Sequence, residues 1–255
     1  MIKKTISIIA AVVMAASIFT GCAKKDDTAS AKKYIIATDV AFAPFEFEKD
    51  GSYTGIDIDL LQAISKDQGF TYELKPMDFS GIIPALTSNQ IDGAISGMSI
   101  TDDRKKSVDF SDSYFESGVS MIVSADNTKI NSLDDLKGKT AAVKKGTAGS
   151  QFAESIKDKY GLTIKYFDNS SNMYLEVTNK NADVAFEDYP VVAYKISLEK
   201  DKPTLKIVGE KQAINSYGFA VNKGKNSELL TKFNAGLKKL KENGEYDKIL
   251  AKYLK

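Results

Sequence analysis

The sequence predicts an α/β protein of two lobes, and three observations lead there. Short apolar strands alternate with amphipathic helices along the chain. The alternation runs through twice in similar order, although the two stretches share no sequence repeat. The chain has 255 residues, 43% hydrophobic and 27% charged, a globular balance with length for one large domain or two small ones.

In the first stretch, residues 34–38 form an apolar strand and 42–47 an aromatic loop holding a proline. A helix opens at 55–60 with acidic residues where its dipole favours them, carries Leu60, Leu61 and Ile64 on one face, and stops at Gly69. Residues 70–74 alternate like a strand, and 78–81 open a second helix with Ser80 as expected N-cap. A turn and a small buried strand occupy 89–96, a helical turn 101–104 and a strand 117–123. In the second stretch a short helix at 133–136 ends at Gly138, and a buried strand spans 140–143. The loop KKGTAGS (144–150) then opens a helix to about residue 159. Strands at 164–167 and 182–186 alternate with helices at 172–179 and 191–197. The tail holds a strand near 219–221 and a long helix over 227–243, with Leu229, Leu230, Phe233, Leu237 and Leu240 on one face and lysines on the other. Gly244 ends it, and a short helix follows.

The N-terminus reads as an export signal. A basic start precedes an apolar run, Ile6 to Phe19, of about fourteen residues, too short to span a bilayer comfortably and suited to a signal-peptide core. Residues 19–22 (FTGC) resemble a bacterial lipobox, with Phe19 in place of the usual leucine. Cys22 is then the expected lipid attachment point and membrane anchor. Cleavage nearby, leaving a free thiol, and a retained anchor helix are the alternatives. Residues 23–33 read as a flexible tether.

Composition excludes several chemistries. There is no histidine, which removes Ser-His and Cys-His nucleophile pairs and His-ligated metals. One cysteine excludes thiolate zinc sites and intrachain disulfides. With 35 Lys+Arg against 34 Asp+Glu the formal net charge is +1, so no nucleic-acid footprint is expected. No cofactor is expected either.

In α/β sheets ligands sit beyond the carboxyl ends of the strands, so the loops after strands hold the candidates. These are Asp39 and Phe42; Phe79; Ser96, Gly97, Ser99 and Arg104; then Lys144, Ala148 in the GTAGS loop, Glu187 and Asp188. Arg104 has the fork geometry for a carboxylate, and backbone N–H groups at Gly97, Ser99 and Ala148 are candidates to join it. Its alternative is a solvated charge beside Lys105 and Lys106. Asp188 suits an ammonium, or else caps the helix beginning near Tyr189. Phe42 and Phe79 suit the aliphatic part of a ligand, or else belong to the core.

The stretches ATDVAFAPFEF, GIDIDL, ELKPMDFSGIIPAL, ITDDRKKSVDFSDSYFESG, VKKGTAGS and EDYP resemble the amino-acid-binding proteins of bacterial ABC importers, solute-binding proteins of family 3, and within them the glutamine-binding members. The resemblance runs from Tyr34 to the end. It implies a two-lobed periplasmic-binding-protein-like fold of type II with two hinge crossover strands. Residues 34–114 plus 217–255 would form the first lobe and 115–216 the second, with hinges near 115–117 and 213–216. The lobes would close on a free amino acid.

In the glutamine-binding members that the sequence resembles, the positions matching Asp39 and Lys144 hold an Asp and a Lys that meet the amide. The logic carries over, since an amide offers N–H donors to Asp39 and a carbonyl to Lys144. Glu187 departs, standing where those relatives have histidine. Arg104 and Lys144 against Asp39, Glu187 and Asp188 leave a net of −1, which a cationic side chain would balance. Glutamine is the expected ligand, with arginine or lysine as the alternative and glutamate behind them. Glu187 would otherwise pair with Lys144 or point outward. The implied partners are a membrane permease with its ATPase, and the protein itself is expected to be a monomer. Binding rather than catalysis is expected, although some dehydratases share this fold. A sensor module is the remaining class, and the chain shows no signalling domain beside it.

Overall fold

The computed structural model describes residues 32–200 and 202–254. The signal segment, Cys22 and most of the tether lie outside the described residues. No helix among the described residues is long and apolar enough to cross a membrane.

Strand β1 (Lys33–Thr38) leads into a small antiparallel unit, β2 (Ala41–Phe42), β3 (Glu46–Lys49) and β4 (Ser52–Thr54). Then come α1 (Ile56–Gln68), β5 (Thr71–Pro76), α2 (Phe79–Thr87), β6 (Gly93–Ala94), a 3-10 turn at Arg104–Lys106 and β7 (Val108–Phe110). The second stretch holds β8 (Phe115–Ser124), β9 (Thr140–Lys144), α3 (Ala148–Tyr160), β10 (Thr163–Phe167), α4 (Ser170–Thr178), β11 (Val184–Asp188), α5 (Tyr189–Leu198) and β12 (Leu205–Tyr217). Strand β13 (Ala220–Asn222), α6 (Ser227–Glu242) and α7 (Glu245–Tyr253) complete the chain.

Two five-stranded sheets result, ordered β5-β1-β6-β13-β7 and β10-β9-β11-β8-β12. Each has a parallel part, β5-β1-β6 in one and β10-β9-β11 in the other. Parallel strands need both faces covered, and the side chains comply. In the first sheet Ile36 and Ile95 join α1 and α6 through Leu60, Leu61, Ile64, Phe233 and Leu237, while Ala37 and Ala94 face α2. In the second, Ala141 and Val143 pack with α3, and Ala142 packs with α4 and α5. The chain crosses between sheets twice, from Phe110 to Phe115 and from Tyr217 to Ala220. At the crossing Phe115 pairs with Tyr217, and Ser117 with Asn215.

Three elements differ from the sequence reading. Residues 42–47 belong partly to the β2–β3 hairpin rather than to a loop. Helix α2 starts at Phe79 with extended Asp78 in the N-cap position, so Ser80 lies inside the helix and caps nothing. Strand β12 is 13 residues long, although only residues 213–216 were expected there, as a hinge. Its middle is exposed and polar, and its pairing shifts between Val208 and Gln212, so no alternation marks it in sequence.

Candidate functional site

The carboxyl ends of the parallel strands deliver the candidate residues. Strand β1 ends at Thr38 and hands over to Asp39; β6 is followed by Ser96–Ser99; β9 ends on Lys144 and β11 on Asp188. Phe42, Phe79, Gly97, Ser99, Arg104, Lys144, Thr147, Ala148 and Asp188 line one pocket between the lobes. They enclose only about 10 Å³, so side chains of the two lobes meet across it. That is about the space of one water, and an amino acid enters only after these contacts part.

Arg104 is buried and bridges the lobes. Its guanidinium donates to Ser99 O and to Gly146 O, both at 2.7 Å. The Phe79 ring lies 5.3 Å from it. It is no solvated surface charge. Burial lowers its pKa to about 10, against the pull of Asp188, so it remains cationic at neutral pH. Three of its five N–H donors remain for a ligand carboxylate.

Asp188 occupies the N-cap position of α5 but makes no side-chain cap bond. Its Oδ2 accepts from the Tyr217 hydroxyl at 2.5 Å, while Oδ1 is buried without a partner. Burial and then the Glu187 charge push its pKa up to about 7. An arriving ammonium would fill the open acceptor and hold the group ionised. Helix α3 starts at the pocket, and its Ala148 N–H is among those a first turn leaves without an internal partner. Thr147, absent from the sequence reading, caps that helix by accepting from Ser150 N at 3.2 Å.

At the other end Asp39 and Lys144, each 1% exposed, form an ion pair across the lobes through Asp39 Oδ2 and Lys144 Nζ. Lys144 Nζ also lies 5.0 Å from the Phe42 ring centroid. Both were expected to meet a ligand amide; here they satisfy each other.

Three expected contacts lie elsewhere. Gly97 lines the pocket, but its N–H donates to Asp57 Oδ2 at 2.7 Å and so faces away from any ligand carboxylate. Its φ of +50° needs glycine, and a Cβ there would stand 2.5 Å from the Phe42 ring. Ser96 is one layer behind the wall, donating to Glu46 Oε1 at 2.7 Å and accepting from Asp39 N at 3.1 Å. Glu187 neither points outward nor bonds Lys144. It is 2% exposed and accepts from Ser170 Oγ at 2.5 Å and from Asp188 N at 3.1 Å. Burial raises its pKa, with Lys144 opposing.

A larger groove of about 410 Å³ lies on the second lobe. Its charged residues, Asp134 and Glu210, are both acidic, so it cannot answer both ends of a zwitterion. The inter-lobe pocket, with Arg104 and Asp188 facing inward, can.

Two α/β lobes joined by two strands around such a pocket are the architecture of the solute-binding proteins. Residues 34–255 match the bacterial extracellular solute-binding proteins, family 3, and the chain belongs to that family of amino-acid-binding proteins of ABC importers. It is 34% identical over 252 residues to the arginine-binding extracellular protein ArtP of Bacillus subtilis, covering 98% of this chain and 97% of that one. It is 31% identical over 242 residues to the glutamine-binding protein GlnH of the same organism, covering 91% and 86%. An ancestral arginine-binding protein is 43% identical; bound to arginine it superposes with a TM-score of 0.82, covering 88% of this chain and 98% of that one. An ancestral arginine-binding protein bound to glutamine, also 43% identical, gives 0.80, covering 87% and 97%. Of these relatives the arginine binder ArtP matches better than the glutamine binder GlnH. Members of this family are extracellular or periplasmic.

Proposed function

We propose that this protein captures a basic amino acid, with arginine the first candidate, and delivers it to its importer. The observation that carries this is the pocket's charge. Arg104 and Asp188 answer the zwitterion, Asp39 and Lys144 cancel, and buried Glu187, behind the pocket wall but within electrostatic reach of Lys144 and Asp39, leaves an acidic excess. A cationic side chain balances that excess, and the identities to arginine-binding relatives agree. Phe42 and Phe79 would flank the aliphatic stem.

Glutamine is the second reading. The Asp39–Lys144 pair can open to hold an amide, and a protein 43% identical to this one has been seen bound to glutamine. Glutamate is disfavoured by the same acidic excess. Capture proceeds by closure of lobes 34–114 plus 217–255 and 115–216 about the strand pair at Phe115–Tyr217. Cys22 is the proposed lipid anchor.

Melting-temperature shifts of protein unfolded and refolded to strip ligand test the reading against a panel of amino acids. The largest shift is expected with arginine or lysine. A larger shift with glutamine would move the assignment to the second reading, and no shift with any amino acid would overturn both.

A further inference from the structure

Behind Asp39 and Gly97 the first lobe buries two further acids, Glu46 and Asp57, that do not line the pocket. Gly55, at φ +131°, lets α1 start directly against the preceding chain; a Cβ there would lie 2.1 Å from Phe45 O. Ile56 N and Asp57 N then donate to Pro44 O and Phe45 O at 3.0 and 2.9 Å. This docking anchors the two carboxyls on neighbouring groups: Asp57 N bonds the carbonyl of Phe45, next to Glu46, and the adjacent residues Ser96 and Gly97 donate to Glu46 and Asp57 in turn. Glu46 Oε1 accepts from Ser96 Oγ, and Asp57 Oδ2 accepts from Gly97 N and from the Tyr114 hydroxyl at 2.8 Å. Glu46 Oε2 and Asp57 Oδ1 are left buried without a donor. Two neighbouring buried carboxyl groups, each with one oxygen lacking a donor, can satisfy those oxygens mutually only through a proton.

We propose that Glu46 and Asp57 share one proton as a buried acid–carboxylate pair, and that this pair positions the two ligand-facing loops at 39–42 and 96–99. The connections are short. Ser96 donates to Glu46 while accepting from Asp39 N, and Asp57 holds Gly97 N. Both acids are positioning residues, since neither touches the pocket. That half of the proposal rests on the amino-acid pocket described above; the shared proton does not.

Burial pushes the Asp57 pKa up to about 7, against the bonds from Gly97 N and Tyr114, and Glu46 is raised well above the usual range, so the proton belongs on Glu46 and the charge on Asp57. Asp57 lies in the first turn of α1, where the helix dipole favours an anion, and it already accepts two bonds. Asp39, Lys144 and Tyr114 are the other titratable groups facing the pair. Burial, then Asp57 and Asp39, push the Glu46 carboxyl well above the usual range, and Lys144 opposes them. Burial likewise holds the Tyr114 hydroxyl protonated. Without the shared proton, three acids would confront Lys144 alone.

Infrared spectroscopy of the wild-type protein at neutral pH should show the carbonyl band of a protonated carboxyl that Glu46→Gln lacks. The glutamine amide supplies permanently what the proton supplies, donating to Asp57 and accepting from Ser96. Glu46→Gln should therefore bind arginine within about twofold of wild type, whereas Glu46→Ala should bind about tenfold more weakly. A carboxyl raised in the folded state adds stability that is complete below its unfolded pKa and lost as pH rises through its folded one. Wild-type melting should thus fall relative to Glu46→Gln as pH rises, with Asp188 contributing equally to both. Absence of the band, or parallel melting profiles, would overturn the shared proton. Unchanged binding by Glu46→Ala would overturn the positioning role. Failure of wild type to bind any amino acid would sink the pocket reading instead, leaving band and melting profile to decide the proton.

Discussion

At one end of the pocket, Arg104 and Asp188 come from opposite lobes and both keep bonding capacity in reserve. At the other, Asp39 and Lys144 also come from opposite lobes but are bound to each other. On the proposed reading, the difference follows from what each end must recognise. Every amino acid presents the same carboxylate and ammonium, so the first end can be built once with open valences. Side chains differ, so the second end holds a neutral pair whose balance the acid behind it, Glu187, can tip.

The largest effect is expected from breaking the first end. Arg104→Ala removes the proposed cationic partner of the ligand carboxylate and should weaken binding of every amino acid by roughly 10²–10³-fold or more. A loss confined to arginine would place Arg104 at the side-chain end instead.

Asp188 sharpens the comparison through pH. With its pKa pushed up to about 7, its contribution to ligand-free stability is complete below its unfolded pKa and lost as pH rises through about 7. Ligand ammonium needs the carboxylate, so affinity rises over that window. The melting shift caused by ligand should grow between about pH 5 and 8, and Asp188→Asn should flatten the growth. A shift that stays constant in wild type contradicts the role.

Smaller effects are expected at the second end. Glu187→Gln removes the acidic excess and should cut the preference for arginine over glutamine about tenfold, leaving glutamine binding nearly unchanged. Ser170→Ala frees Glu187 of its 2.5 Å hydrogen bond and should shift that preference only a few-fold. Competition titrations measure both. Equal losses for the two ligands would assign Glu187 to structure alone.

The sequence and the structure agree where a local pattern decides the outcome. Helix α6 shows its stripe of Leu229, Phe233, Leu237 and Leu240, and all four are buried. Arg104, Lys144, Asp188 and the two phenylalanines were readable because they follow strands and match a family's motifs. What escaped depends on tertiary placement. Asp57 reads as a helix-dipole residue, yet it is buried and holds Gly97. Glu46 reads as part of an aromatic loop, yet Gly55 brings α1 against it. Tyr217, which anchors Asp188, lies in a strand whose exposed, shifted middle carries no alternation.

Calorimetric titration of the stripped, refolded protein with arginine and then glutamine tests the central claim most directly. One-to-one binding with arginine clearly tighter than glutamine is the expected result. Tighter glutamine binding would contradict it, making Glu187 a structural residue and the Asp39–Lys144 pair the determinant of specificity.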